Sequence, residues 1–310
     1  MPDITDDHWL NLVASSVILV RPHSFFSNPQ TLNDNDFQIS SSNSVTHVAK
    51  KEFQKVEEML IKEGVKVLVF DPPDLHLPDA LFPNNWLCTL PDGSLMTFPM
   101  MAPNRRLERN IAVIEFLKKN YIVKRHIKLE GFETQNIFLE GTGSLVFDHV
   151  NRFVFCALSG RSDAGLAKLI ARVTNYKPII FRSAHPITRN PIYHTNVILS
   201  VSPWLAIWVP DLIGDTVSKQ NIREILKLGN RYVLEIPYEA GLGFFSANVI
   251  MLRGSKGLFL AASEKAQSIL KSSLPSHFRM VSTSIPTIEK HGGGSLRCMI
   301  CENFLMLKTN

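Results

Sequence analysis

The chain has 310 residues, 45% hydrophobic and 20% charged, enough apolar mass for a large core and too evenly mixed for a disordered or low-complexity protein. Its net charge of +5 comes from scattered Lys and Arg with no basic block interleaved with aromatics, which argues against nucleic acid as a partner. No segment has the apolar length of a membrane span, Leu10 to Val20 lacks signal-peptide flanks, and Cys88, Cys156, Cys298 and Cys301 offer no second ligand pair for a metal, so the expectation is a reduced, cytoplasmic, metal-free protein.

In chain order, Val13 to Arg21 is apolar, β-branched and ended by Pro22, which predicts a strand. A polar loop, Ser24 to Asn43, leads to a helix over Val45 to Glu63, with Val48, Phe53, Val56, Met59 and Leu60 at helical spacing and Gly64 as its stop. Val65 to Phe70 is a strand. A hairpin is predicted over Asn85 to Pro99 around Pro91-Asp92-Gly93, then a helix Pro103 to Lys119 and a strand Tyr121 to Leu129.

The same order recurs. Glu140 to Leu158 is a hairpin, Ser162 to Thr174 a helix, Lys177 to Ser183 a strand. His194 to Val209, Asp215 to Leu228 and Tyr232 to Ile236 repeat it, as do Asn248 to Ala261, Ser263 to Ser272 and Arg279 to Ile285. The helix starts Pro103, Ser162, Asp215 and Ser263 lie 59, 53 and 48 residues apart, a period that marks an array of supersecondary units. A last strand, opened by Cys298 and running through Met299 to Leu307, completes a fifth unit only by pairing with Val13 to Arg21. That closure would leave no open edge in the array. The expected fold is a fivefold pseudosymmetric α/β propeller of ββαβ-type units around a central channel, one domain over residues 1 to 310. An ordinary open α/β sheet is the alternative.

Equivalent units would place the starts of their first strands at one end of the channel. Those starts carry Asn85, Glu140, His194 with Asn196, Asn248, and Cys298 after Gly292-Gly-Gly294. A thiol, an imidazole, a carboxylate and several carboxamides would then meet. Singly, a histidine, a loop carboxylate or a cysteine after a turn is an ordinary structural residue. The shared register is what points to chemistry.

Several stretches carry a resemblance: Arg21-Pro22, Phe82-Pro-Asn-Asn85, Met101 with Arg105-Arg106-Leu-Glu108, Leu139-Glu140-Gly-Thr-Gly143, Ser159-Gly-Arg161-Ser162, His194-Thr-Asn196 and Gly292 to Cys298. In order and spacing the chain resembles the guanidine-modifying (pentein) superfamily, which includes arginine deiminases, dimethylarginine dimethylaminohydrolases and amidinotransferases. The resemblance implies Cys298 as nucleophile, His194 as proton shuttle and Glu140 as the carboxylate that holds the planar N-C-N group. Guanidine hydrolases carry Asp where Asn85 and Asn196 stand, and a third Asp where Ser144 stands. Losing carboxylates removes charge-assisted pairing with a guanidinium, whereas carboxamide N-H groups suit a neutral ureido oxygen. The chain thus looks most like the arginine-deiminase-related branch that hydrolyses citrulline to ornithine.

The expected chemistry is attack by a Cys298 thiolate, favoured by a nearby imidazolium, with His194 first as acid and then as base for water. Arg105, Arg106 and Arg161 are candidates for the substrate's α-carboxylate, and Asn33, Asn35 and Phe37 for a lid from the polar N-terminal loop. No cofactor is implied, the partner is a small amino acid, and oligomerisation is open. Arginine deiminase, amidinotransferase and a non-catalytic binding module with the same ring are the rival functions.

Overall fold

The computed structural model describes residues 7 to 40 and 45 to 309. Its strands form five three-stranded sheets of one pattern. In one of them Leu87–Thr89 pairs antiparallel with Ser94–Thr97, and Ser94–Thr97 pairs parallel with Arg125–Lys128. Val146–Asp148, Phe153–Leu158 and Lys177–Arg182 repeat the arrangement, as do the sheets centred on Leu205–Trp208 and Gly257–Ser263. The fifth sheet is shared between the two ends of the chain: Ser16–Val20 pairs antiparallel with Cys301–Glu302 and parallel with Lys66–Phe70. The fold is the fivefold α/β propeller expected from the period.

The middle strands are mostly apolar because most of their residues are covered on both faces. Every residue of Ser16–Val20, Ser94–Thr97 and Leu205–Trp208 is buried. Each parallel connection carries a helix; of the expected starts Asp215 and Ser263 are caps, whereas Pro103 is already helical and Asp163 caps in place of Ser162. Asp215 accepts from Ser218 N at 2.9 Å, Ser263 from Ala266 N at 3.2 Å, and Asp163 from Leu166 N at 2.8 Å. Among the described residues no helix is long and apolar enough to cross a membrane.

Two elements differ from expectation. The stretch Pro103 to Lys119 is two helices, Pro103–Arg106 and Ile111–Asn120. Between them Arg105 and Glu108 turn inward to pair with each other, and Asn110 restarts the helix by capping Ala112 N. The last strand is only Cys301–Glu302, and Cys298 sits in a helical turn, Leu296–Met299. Arg297 holds that turn by donating to Ile300 O and to Glu302 Oε2, each at 2.8 Å. Similar turns, Pro83–Asn85, Gly141–Ser144 and Thr195–Val197, precede the first strands of three other units. These turns pack on one another, so the residues read as strand starts are gathered by a layer of helical turns.

Candidate active site

At one end of this layer lies a pocket of about 280 Å³ lined by Cys298, His194, Asn85, Arg105, Arg161 and Asn35, together with Thr31, Asp79, Phe82, Tyr193 and two glycines of the loop before Cys298. Glu140, fully buried, stands behind His194 and accepts from its Nε2 at 2.9 Å. This leaves Nδ1 as the ring atom free to move protons. Burial alone would raise the Glu140 pKa. Arg161, the His194 hydrogen bond and Arg105 outweigh it and hold the carboxyl at about 2, so Glu140 is ionised. The guanidiniums approach it at 3.7 Å and 3.5 Å, and its second oxygen accepts from Met101 N at 3.0 Å.

Gly143 makes room for this arrangement. A β-carbon there would lie 2.5 Å from Asn85 Nδ2 and 2.6 Å from His194 Nδ1, inside any permitted contact. Across the pocket Gly293 takes a φ of +64°, ending the helix Pro286–Gly292 so that the chain can turn into the Cys298 segment.

Cys298 is buried, 4% exposed, and its sulfur meets carboxamides. Asn248 Nδ2 lies 3.3 Å from Sγ, and Asn196 Oδ1 lies 3.8 Å away. Burial pushes the thiol pKa up, against the Asn248 hydrogen bond and the Ser295 backbone. Burial pulls His194 down, with Glu140 opposing. Both directions favour the neutral forms, a thiol and an imidazole, over the expected thiolate-imidazolium pair. Both groups are stripped of water before any substrate charge is present.

Asn85 has a forced orientation. Its Oδ1 accepts from Arg105 Nη1 at 3.0 Å, so Nδ2 is the other end, buried and without a partner among the described residues. Asn196 Nδ2 is likewise buried and unpartnered.

The family described as N,N dimethylarginine dimethylhydrolase, eukaryotic, matches residues 21 to 305. The chain belongs to this family. No curated protein sequence matches it. Among solved structures, a substrate-bound mutant of the N-terminal domain of ArgZ, an arginine dihydrolase from the ornithine-ammonia cycle in cyanobacteria, aligns with a TM-score of 0.72 at 16% identity, covering 93% of this chain and 97% of that one. The ternary complex of AgrE with ornithine and NAD+ aligns with a TM-score of 0.71 at 16% identity, over 93% of this chain and 39% of that one. DDAH from Pseudomonas aeruginosa, a mutant complexed with citrulline, gives 0.68 at 13% identity, over 94% and 100%. These likenesses are of fold, and together with the family match they place this dimethylarginine dimethylhydrolase family member among the pentein hydrolases.

Besides Glu140, the candidate residues of this family member outside the pocket lining are Asn196, which lies behind Cys298 with Oδ1 3.8 Å from Sγ, Asn33, Arg106 and Phe37. Arg106 donates to Met100 O and Met101 O at 3.0 Å each, bracing the loop that feeds Glu140. Phe37 packs on Tyr193 and Phe245, with ring centroids 5.8 and 5.4 Å apart. Asn35 does reach the site, with Nδ2 3.4 Å from Gly293 O.

Three further residues, Asp79 in the pocket lining and Asn248 and Asp34 behind it, were not assigned from sequence. Asp79 is 3% exposed; its Oδ2 accepts from Asn28 at 2.7 Å and its Oδ1 has no partner. Asn248 was visible in the register of the units, yet nothing in the chain marked it as facing sulfur. Asp34 forks onto Arg161, a contact that joins residues 127 apart and leaves no local signature.

Proposed function

We propose that residues 1 to 310 act as one catalytic domain that hydrolyses the ureido group of citrulline to ornithine, ammonia and carbon dioxide through a covalent intermediate on Cys298. The observation that carries this reading is the pair of buried, unpartnered donors, Asn85 Nδ2 and Asn196 Nδ2. A buried donor without an acceptor costs about 1–3 kcal/mol, so a ligand that supplies an oxygen there is favoured. A ureido group supplies one. A guanidinium brings only donors and would face these N-H groups without pairing.

In this mechanism His194 Nδ1 takes the Cys298 proton as sulfur attacks the ureido carbon, and Asn85 and Asn196 receive the developing oxyanion. The imidazolium, held by ionised Glu140, gives the proton to the departing amine. His194 then takes a proton from water, which cleaves the thioester-like intermediate and restores the thiol. The carbamate that results breaks down to an amine and carbon dioxide. Arg161 receives the α-carboxylate.

Asn85→Asp combined with Asn196→Asp tests the reading. The double variant is expected to lose citrulline turnover by roughly two orders of magnitude, because anionic acceptors replace oxyanion donors. A variant that turns over citrulline as well as the unsubstituted protein would sink it.

A second reading is hydrolysis of a guanidino substrate, the class named for the family and for the arginine dihydrolase neighbour. The unpartnered Oδ1 of Asp79 supports it, since that carboxylate could pair a cationic head group. Steady-state turnover of the citrulline and arginine series distinguishes the two.

A further inference from the structure

Both guanidiniums that line the pocket are already paired with carboxylates of the chain itself. Arg105 gives Nε and Nη2 to Glu108 at 2.9 and 3.0 Å, and Nη1 to Asn85 Oδ1 at 3.0 Å. Arg161 gives Nε to Asp34 Oδ2 and Nη2 to Asp34 Oδ1, both at 2.6 Å, while its Nη1 has only the 3.7 Å approach to Glu140. A substrate α-carboxylate must therefore displace one internal carboxylate.

The two displacements differ in cost. The Glu108 side chain is 1% exposed, and pushed off Arg105 it would remain a buried carboxylate without its partner. The Asp34 side chain is 30% exposed and can return to water. We propose that Asp34 is a stand-in for the substrate's α-carboxylate, holding the Arg161 fork in the empty enzyme and giving it up when an α-amino acid enters. The exchange leaves the charge on Arg161's fork unchanged, so a buried cation is never bare.

The neighbours of Asp34 connect this exchange to the reacting centre. Asn35 reaches Gly293 O, and a β-carbon on the next residue, Gly294, would lie 3.3 Å from Cys298 Sγ. On the other side Asp36 accepts from Thr188 Oγ1 at 2.8 Å and from Asn190 Nδ2 at 3.0 Å, which anchors the segment to a second loop. Release of Asp34 thus acts on a strap that ends beside the sulfur, and ligands without a carboxylate leave the strap in place. Asp34 is a positioning residue that selects α-amino acids. The inference rests on the reading that the substrate is an amino acid.

Calorimetric titration of the Cys298→Ala protein, with and without Asp34→Ala, against citrulline and N-carbamoylputrescine, and against arginine and agmatine, tests it. Each pair shares a head group and differs by the carboxylate. Removing Asp34 is expected to tighten the carboxylate-bearing member by roughly tenfold, the loss of one charge-assisted competitor, and to leave its decarboxylated counterpart no tighter. Asp34→Glu, which keeps the competitor, should bind like the unsubstituted protein. A change shared by both members of a pair, or no change in either, overturns the exchange. Preference for the arginine pair with the tightening intact would count against the ureido reading alone, and binding of neither pair would overturn both.

Discussion

Asn248 lays its carboxamide against Cys298, Nδ2 at 3.3 Å and Oδ1 at 3.6 Å from Sγ, and Nδ2 also donates to Asn196 O at 2.9 Å, so the backbone of one unit orients the group that meets the sulfur of another. This donor opposes the rise that burial imposes on the thiol. Asn248→Ala is expected to lower kcat/KM by about tenfold and to slow alkylation of Cys298 by a similar factor, the effect of one hydrogen bond to a developing thiolate. Equal alkylation rates in the two proteins would remove Asn248 from the account.

The pH dependence follows from the directions of the two shifts. With the thiol raised and the imidazole lowered, both are neutral at pH 7 in the free enzyme. Because His194 takes the thiol proton during attack, the neutral pair is the reactive form, and kcat/KM is expected to stay level across neutrality, falling on the acid side as the lowered His194 is protonated and on the alkaline side as the raised thiol ionises. Glu140, held at about 2, stays ionised throughout and adds no limb. A profile that climbs steadily from neutrality would show that Cys298 must ionise before attack, and would remove His194 as its base.

Gly143→Ala probes the close packing of Asn85 and His194. The added methyl must push one or both away, and displacement of about 1 Å at a reacting group costs on the order of 100-fold in kcat. The substitution should leave the thermal midpoint within a few degrees, since neighbouring side chains rather than the sheet give way. Full activity would mean that neither Asn85 nor His194 is held where chemistry needs it.

Much of the architecture was legible because period and capping are local properties. Asp215 and Ser263 announced their helices by their own side chains, and the spacing of such starts revealed the repeating unit. The pairing of Ser16–Val20 with Cys301–Glu302 could be anticipated from the one unit left incomplete. The helical turns before the first strands were not legible, since Gly141–Ser144 and Leu296–Met299 are too short for any periodicity to register. Contacts such as Asp34 with Arg161 depend on which loop folds over the pocket, and no spacing along the chain encodes that. The charge states of Cys298 and His194 were not legible for a related reason: the sequence suggests that the groups meet, whereas burial weighs on whether they are ionised.

The two cysteines at the closing strand should separate cleanly. Cys298→Ala is expected to abolish turnover, by at least about 10⁴-fold, with the fold intact. Cys301, whose sulfur faces Leu87 O at 3.3 Å within the sheet, should keep most activity as alanine and cost about 1 kcal/mol of stability. Parallel loss of activity in both variants would undo the assignment of the nucleophile.

The central claim is that the reacting group is neutral. It is tested most directly by kcat/KM of the unsubstituted protein on citrulline, arginine and dimethylarginine under one set of conditions. The unpartnered amide donors of Asn85 and Asn196 predict that citrulline leads by at least about 100-fold. Faster hydrolysis of arginine or dimethylarginine than of citrulline would contradict it, and would assign the unpaired oxygen of Asp79 to a guanidinium instead.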